Sequence, residues 1–123
     1  MEEKRETPRF RINQLIGYFP NREEYLWAEG LDLSRGGLSC SAPQSIDPLT
    51  NVYLMLGVPN PEGERLVRCE GYVAHARMEA GRCLFGIRIE RVSDEDEPFL
   101  TRFVQELERS GAPLARPSDS GRA

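Results

Sequence analysis

Histidine is almost missing from this chain: His75 is the only one in 123 residues. Cysteine is scarce as well. Cys40, Cys69 and Cys83 are odd in number and widely spaced, with no CxxC and no Cys/His set at metal-ligand spacing. That disfavours a structural metal, a redox pair or a disulfide framework. Each cysteine falls in a β-rich stretch, where a free thiol behaves as a small buried hydrophobe. His75 lies near the end of such a stretch with no partner in the sequence, so a solvated or structural role is expected. No run of 18 apolar residues occurs, which excludes a membrane-spanning helix. The charged first twelve residues are not followed by the apolar segment of a signal peptide, so a cytoplasmic location is expected. Basic charge is in the minority, with 16 Lys and Arg against 20 Asp and Glu and a formal net charge of −4. That balance argues against a broad DNA or RNA surface. Also absent are a GxxxxGK[ST] phosphate loop, an HExxH pair and a GxSxG elbow. With a single histidine and no base–nucleophile motif, the chain is not expected to be an enzyme or to hold a cofactor.

What is present fits one domain, since the length allows a real core but not two ordinary ones. Residues 1–10 are polar, and Pro8 pushes Thr7 out of the helical region, so they read as an extended, flexible arm. Short runs rich in β-branched and aromatic residues follow, separated by turn signals. They predict strands at 11–18, 24–33, 37–42, 51–58, 65–77 and 82–91. Val52, Leu54, Leu56 and Val58 share one face of a period-2 pattern, and so do Val67, Cys69, Gly71 and Val73. Gly71 and Gly86 inside strands suggest bends or close backbone approaches. The period then changes: Phe99, Leu100, Phe103, Val104 and Leu107 form a helical stripe. The segment from Ser93 to Glu97 supplies caps and negative charge for that helix. Six strands without intervening helices predict an all-β fold with one helix. It is a six-stranded antiparallel β-barrel, residues 11–109, covered by a C-terminal amphipathic α-helix. Residues 110–123 are rich in Gly, Pro, Ser, Ala and Arg and read as a disordered tail.

One segment carries suggestive chemistry. Asp32-Leu33-Ser34-Arg35-Gly36-Gly37 places a carboxylate, a hydroxyl and two glycines in a short turn between β stretches. Asp32 and Ser34 are two apart, so an extended chain points both to one face. That face offers an acceptor-only carboxylate beside a donor/acceptor hydroxyl. A guanine edge, with its N1–H and N2–H₂ donors, suits it. Gly36 and Gly37 allow positive φ and close approach to a ligand. Arg5 and Arg9 add planar forks suited to phosphate or to a base face. Four extended residues separate their Cα atoms by at most about 13–14 Å, within reach of both phosphates of a dinucleotide. The same residues also suit an ordinary turn, in which Asp32 and Ser34 cap backbone amides.

Arg5-xxx-Arg9 followed by Asp32-x-Ser34-x-x-Gly37 resembles the two-part signature of PilZ domains, bacterial receptors for cyclic di-GMP. The resemblance covers about residues 4–108, including the strand Phe85-Gly86-Ile87-Arg88-Ile89 and the closing helix. It implies that Arg5 and Arg9 contact phosphates and guanine, and that Asp32, Ser34 and Gly37 form the guanine-reading turn. Lys4, Arg35 and Gly36 are further contacts by position. Lys4 stands where many members carry another arginine. The chain begins at the motif, so no preceding domain is expected. The implied function is a cyclic di-GMP receptor that changes conformation and signals to an unidentified protein partner. The alternative is a PilZ-like protein–protein interaction module that binds no nucleotide.

Overall fold

The computed structural model describes residues 10–12, 14–19 and 25–110. Its strands are β1 (Phe10–Arg11), β2 (Leu15–Phe19), β3 (Leu26–Leu33), β4 (Gly37–Ala42), β5 (Asn51–Asn60), β6 (Gly63–Glu79) and β7 (Arg82–Val92), followed by the helix α1 (Glu97–Arg109). The sheet runs β3–β2–β5–β6–β7–β4, and a further antiparallel pairing of β4 with β3 closes it into a six-stranded barrel. Closure leaves these six strands without free edges.

The period-2 patterns do what they predict. Val52, Leu54, Leu56 and Val58 of β5 face inward, with Cys69 and Val67 of β6 opposite Leu54 and Leu56, and Val73 of β6 is buried as well. Tyr18 and Phe85 meet in the core at 5.5 Å between ring centroids. Burying a side chain of this size contributes about 1.5–3 kcal/mol. All three cysteines are free and buried. Burial, and secondarily the charge of Asp32, pushes the Cys40 thiol well above its usual range. Burial and then Asp96 push Cys69 up to about 12. Neither is a thiolate at neutral pH. The two-residue turn between β6 and β7 has positive φ at both Ala80 (54°) and Gly81 (80°), as a tight hairpin demands.

The first predicted strand, 11–18, is corrected to two short ones. Phe10 and Arg11 pair with Leu33 and Asp32, whereas Leu15 and Ile16 pair with Glu29 and Ala28. Three residues therefore separate Arg11 from Leu15 where two separate Asp32 from Glu29. The excess residue interrupts the ladder as a β-bulge does. Hydrogen bonds from Ile12 N–H to the Leu31 carbonyl (3.1 Å) and from Gly30 N–H to the Gln14 carbonyl (2.8 Å) hold the two pieces in line. The arm expected over 1–10, apart from Phe10, lies outside the described residues, as do Glu24 of the second predicted strand and the tail beyond Ser110.

α1 packs on β5 and β6, burying Leu100 and Val104 with Phe99, Phe103 and Leu107 beside them. The expectation that residues 93–97 cap this helix needs correction. Asp96 occupies the N-cap position, but its side chain makes no capping bond. The carboxylate turns to the barrel instead. Oδ1 accepts from Arg65 Nε (3.2 Å) and Nη2 (2.9 Å), and Oδ2 accepts from the Arg68 backbone N–H and Nε, both at 3.1 Å. The Arg65 guanidinium also sits 4.3 Å above the Phe99 ring. Asp96 is fully buried, so a charged acceptor here needs these partners. Burial alone raises its pKa, but hydrogen bonds from Arg65 and Arg68 outweigh it and hold the carboxyl below the ordinary range.

A lowered folded-state pKa means the clamp stabilises above the unfolded carboxyl value of about 3.9 and is lost as pH falls through the folded one. Asp96→Asn, which removes the buried negative charge shared by Arg65 and Arg68, is expected to cost about 2–4 kcal/mol at neutral pH. Chemical denaturation across a pH series checks both points, because the acid-side loss of stability should be shallower in the variant.

Candidate functional site

The Asp32 turn is built by an irregularity in β3. Gly30 pairs with Cys40 of β4, but the next pair is Asp32 with Ser39, which leaves Leu31 as an extra residue. Cys40 faces the core, so Ser39 and Asp32 face outward; Leu33 and Leu38 return inward as the following pair. Without the extra residue, Asp32 would share the inward face of Gly30. The bulge therefore turns a carboxylate out of the core and onto the barrel's outer wall.

Ser34 follows on that same outer side. Its backbone N–H donates to the Gly37 carbonyl at 2.9 Å, and its Oγ–H reaches the same oxygen at 3.4 Å. The Ile89 N–H donates to the Gly36 carbonyl at 2.9 Å, which ties the turn to β7. Asp32 and Ser34 are only 1% and 4% exposed, while Arg35 and Gly36 stand in solvent. Arg35 reaches Glu108 near the end of α1 at 3.8 Å. Asp32, Ser34 and Gly37 are brought together in the turn, while Arg5, Arg9 and Lys4 lie outside the described residues.

The reading of the two glycines is corrected. Neither Gly36 nor Gly37 takes a positive φ; among the described glycines only Gly63 and Gly81 do. Gly37 is needed for a different reason. A Cβ there would lie 2.6 Å from the Ile87 carbonyl oxygen of β7, whereas one on Gly36 would meet nothing within 4 Å. Gly37 thus lets the turn press against the neighbouring strand.

Register reveals residues that the linear motif does not contain. Across the sheet from Arg11 run Asp32, Ser39, Gly86 and His75, on β1, β3, β4, β7 and β6 in turn. Ser39 is buried beside Asp32, a second hydroxyl next to the carboxylate. The exposed His75 imidazole lies over Gly86, where a Cβ would come within 2.5 Å of Nε2. Exposed Arg88 pairs with Gly37 in the ladder. No sequence signal marks these positions, because they come together only across strands. The strip offers an acceptor, two hydroxyls and peripheral cations, a set suited to holding a polar planar ligand. His75 stands three strands from Asp32, about 14 Å along the sheet at ordinary strand spacing. Asp32, Ser34 and His75 therefore form no catalytic relay, which requires hydrogen-bond contact.

A family model described as PilZ domain matches residues 3–106. No curated protein sequence matches the chain. Among solved structures, the fold is similar to the inhibitor of motility MotI/DgrA of Bacillus subtilis, with a TM-score of 0.71 and 16% identity, covering 85% of this chain and 50% of that one. The chain thus spans about half the length of that protein. It is also similar to the PilZ domain of YcgR from Escherichia coli, solved with cyclic di-GMP. There the TM-score is 0.63 and the identity 14%, covering 89% of this chain and 95% of that one. A tetrameric PilZ-domain protein of Xanthomonas campestris gives a TM-score of 0.54 at 16% identity, covering 73% of this chain and 49% of that one.

The two glycines of the turn should respond differently to a methyl group. Gly37→Ala must displace strand backbone and is expected to lower stability by about 1–3 kcal/mol. Gly36→Ala should stay within about 0.5 kcal/mol of the parent. Thermal unfolding of both variants checks the contrast.

Proposed function

The chain belongs to the PilZ domain family, and on that premise we propose that it is a bacterial, cytoplasmic receptor for cyclic di-GMP that signals to a protein partner and performs no catalysis. The observation that carries this reading is the Asp32–Ser34–Gly37 turn, with its carboxylate and hydroxyl held on the outer wall by the Leu31 bulge. A guanine edge presents two N–H donors to Asp32, and charge-assisted bonds of this kind are about twice as strong as neutral ones. Ser34 supplies a second polar contact, and Gly37 keeps the turn close to β7. Arg5 and Arg9 are assigned the phosphates and the base face, with Lys4, Arg35 and Gly36 as additional contacts. The similar fold of YcgR, solved with cyclic di-GMP, supports the choice of ligand.

In this reading the arginine arm closes over the nucleotide on the barrel wall. Ordering a polar arm costs conformational entropy only on closure. Ligand binding thereby reshapes the surface that a partner meets. The second messenger is a ligand here, and no cofactor is required.

Titration calorimetry with cyclic di-GMP tests the proposal. Saturable binding is expected, weakened about tenfold to a hundredfold in both Arg9→Ala and Asp32→Ala, as loss of a charged hydrogen-bond partner predicts. Added salt should weaken it further where arginine–phosphate pairs contribute. No binding heat at ligand concentrations of about 0.5 mM would sink the receptor reading in favour of an interaction module that binds no nucleotide.

A further inference from the structure

The nucleotide reading leaves a second feature of the barrel wall unused. Gly17 of β2 pairs with Trp27 of β3 on one side and Met55 of β5 on the other, and Met55 pairs with Arg68 of β6. In the neighbouring outward row, Phe19 pairs with Tyr53, Tyr53 with Glu70 and Glu70 with Arg91 of β7. Trp27 and Tyr53 are 51% and 61% exposed, unusual for side chains of their size. Tyr25 bridges the rows, 4.7 Å from the Phe19 ring and 5.0 Å from Trp27. A groove of about 670 Å³ lined by Phe19, Tyr53, Met55 and Arg68 runs along this face.

The face has a polarity. Aromatic rings form the β3 flank, apolar side chains the centre on β2 and β5, and exposed Arg68 and Arg91 the β6–β7 flank. We propose that this face pairs with the same face of a second copy of the chain. A two-fold axis through the apolar centre lays the Trp27 and Tyr25 rings of one protomer on Arg68 and Arg91 of the other, and symmetry repeats the contact. Guanidinium groups stack favourably on indole and phenol faces. Three carboxylates balance the three guanidinium groups at this rim: Asp96 is shared by Arg65 and Arg68, Glu95 lies 3.9 Å from Arg68, and Glu70 lies 3.8 Å from Arg91. A partner offering only aromatic or only guanidinium groups would match one flank; a second copy offers both.

The area fits a reversible dimer. Three half-exposed aromatic residues, each offering at most about 150–250 Å², supply a little under half of the roughly 800 Å² that each partner contributes to a standard interface. The remainder must come from the polar rim, which sets this face apart from the larger and more apolar obligate interfaces.

Sedimentation velocity on the full chain, without nucleotide, tests this over a concentration series rising to about 0.5 mM. The sedimentation coefficient is expected to rise from monomer to dimer. Trp27 is the only tryptophan, so its emission should shift to shorter wavelength in step. Tyr53→Glu, with an unchanged far-ultraviolet spectrum and melting temperature, should weaken association at least about tenfold, as loss of a central aromatic does. Met78→Glu, exposed near the distant β6–β7 turn, should leave it unchanged. A monomer at every concentration, or a dimer untouched by Tyr53→Glu, overturns the proposal.

Discussion

One extra residue, Leu31, governs where the chemistry of this barrel lies. The β3–β4 pairing closes the sheet, and closure fixes which side of every strand faces the core. A strand that kept strict alternation would carry Asp32 inward after Ala28 and Gly30. The shift between Gly30 and Asp32 reverses the face, so Leu33 fills the core with Leu38 while Asp32 stands outside next to Ser39. An unpaired carboxylate in that core would cost several kcal/mol. The bulge thus meets two demands together: it supplies the core with leucine and presents the carboxylate on the outer wall. The interruption between β1 and β2 occurs beside the same stretch, on the other edge of β3. β3 is therefore irregularly paired on both edges, as β6 is twice along its edge with β7.

α1 connects this region to the opposite end of the barrel surface. Its start is fixed by the buried Asp96 carboxylate to Arg65 and Arg68, and its last turn reaches Arg35 in the Asp32 turn through Glu108. The two attachments differ in strength. The first is a buried, four-bond clamp, whereas the second is a single exposed ion pair of the kind worth at most about 1 kcal/mol. The helix is therefore fastened at its N-terminal end and only lightly tied at the turn. A ligand that recruits Arg35 meets little resistance from Glu108, and the final turn of α1 is the neighbour that would register the change.

Much of this was legible in the residues themselves, and what was not has a physical reason. Inward faces such as Val52–Leu54–Leu56–Val58, and the apolar stripe of α1, follow from periodicity because burial of one face dictates it. The six-stranded barrel and single helix followed in turn, apart from the division of the first strand into two short ones, and so did burial of the three cysteines. The Leu31 bulge has no local signature, since an extra residue shows only against its partner strand. Ser39 and His75 join the outer strip through register with strands distant in sequence. Asp96 reads as a helix cap locally, and only the approach of Arg65 and Arg68 from β6 redirects it. Gly37 was marked by its motif position, but its reason was misread: a neighbouring carbonyl, not a positive φ, demands glycine there. The family signature made the turn conspicuous, and the fold supplied the mechanism that places it.

In the proposed function, the Leu31 bulge presents the Asp32 turn as the nucleotide-reading wall. Amide-resolved NMR during titration with cyclic di-GMP tests it most directly. The largest shifts are expected at the amides of residues 32–39, with smaller ones at Gly86 and Arg88 across the ladder. Saturable shifts confined to the Phe19–Tyr53–Met55 groove, with the Asp32 turn unmoved, would contradict it.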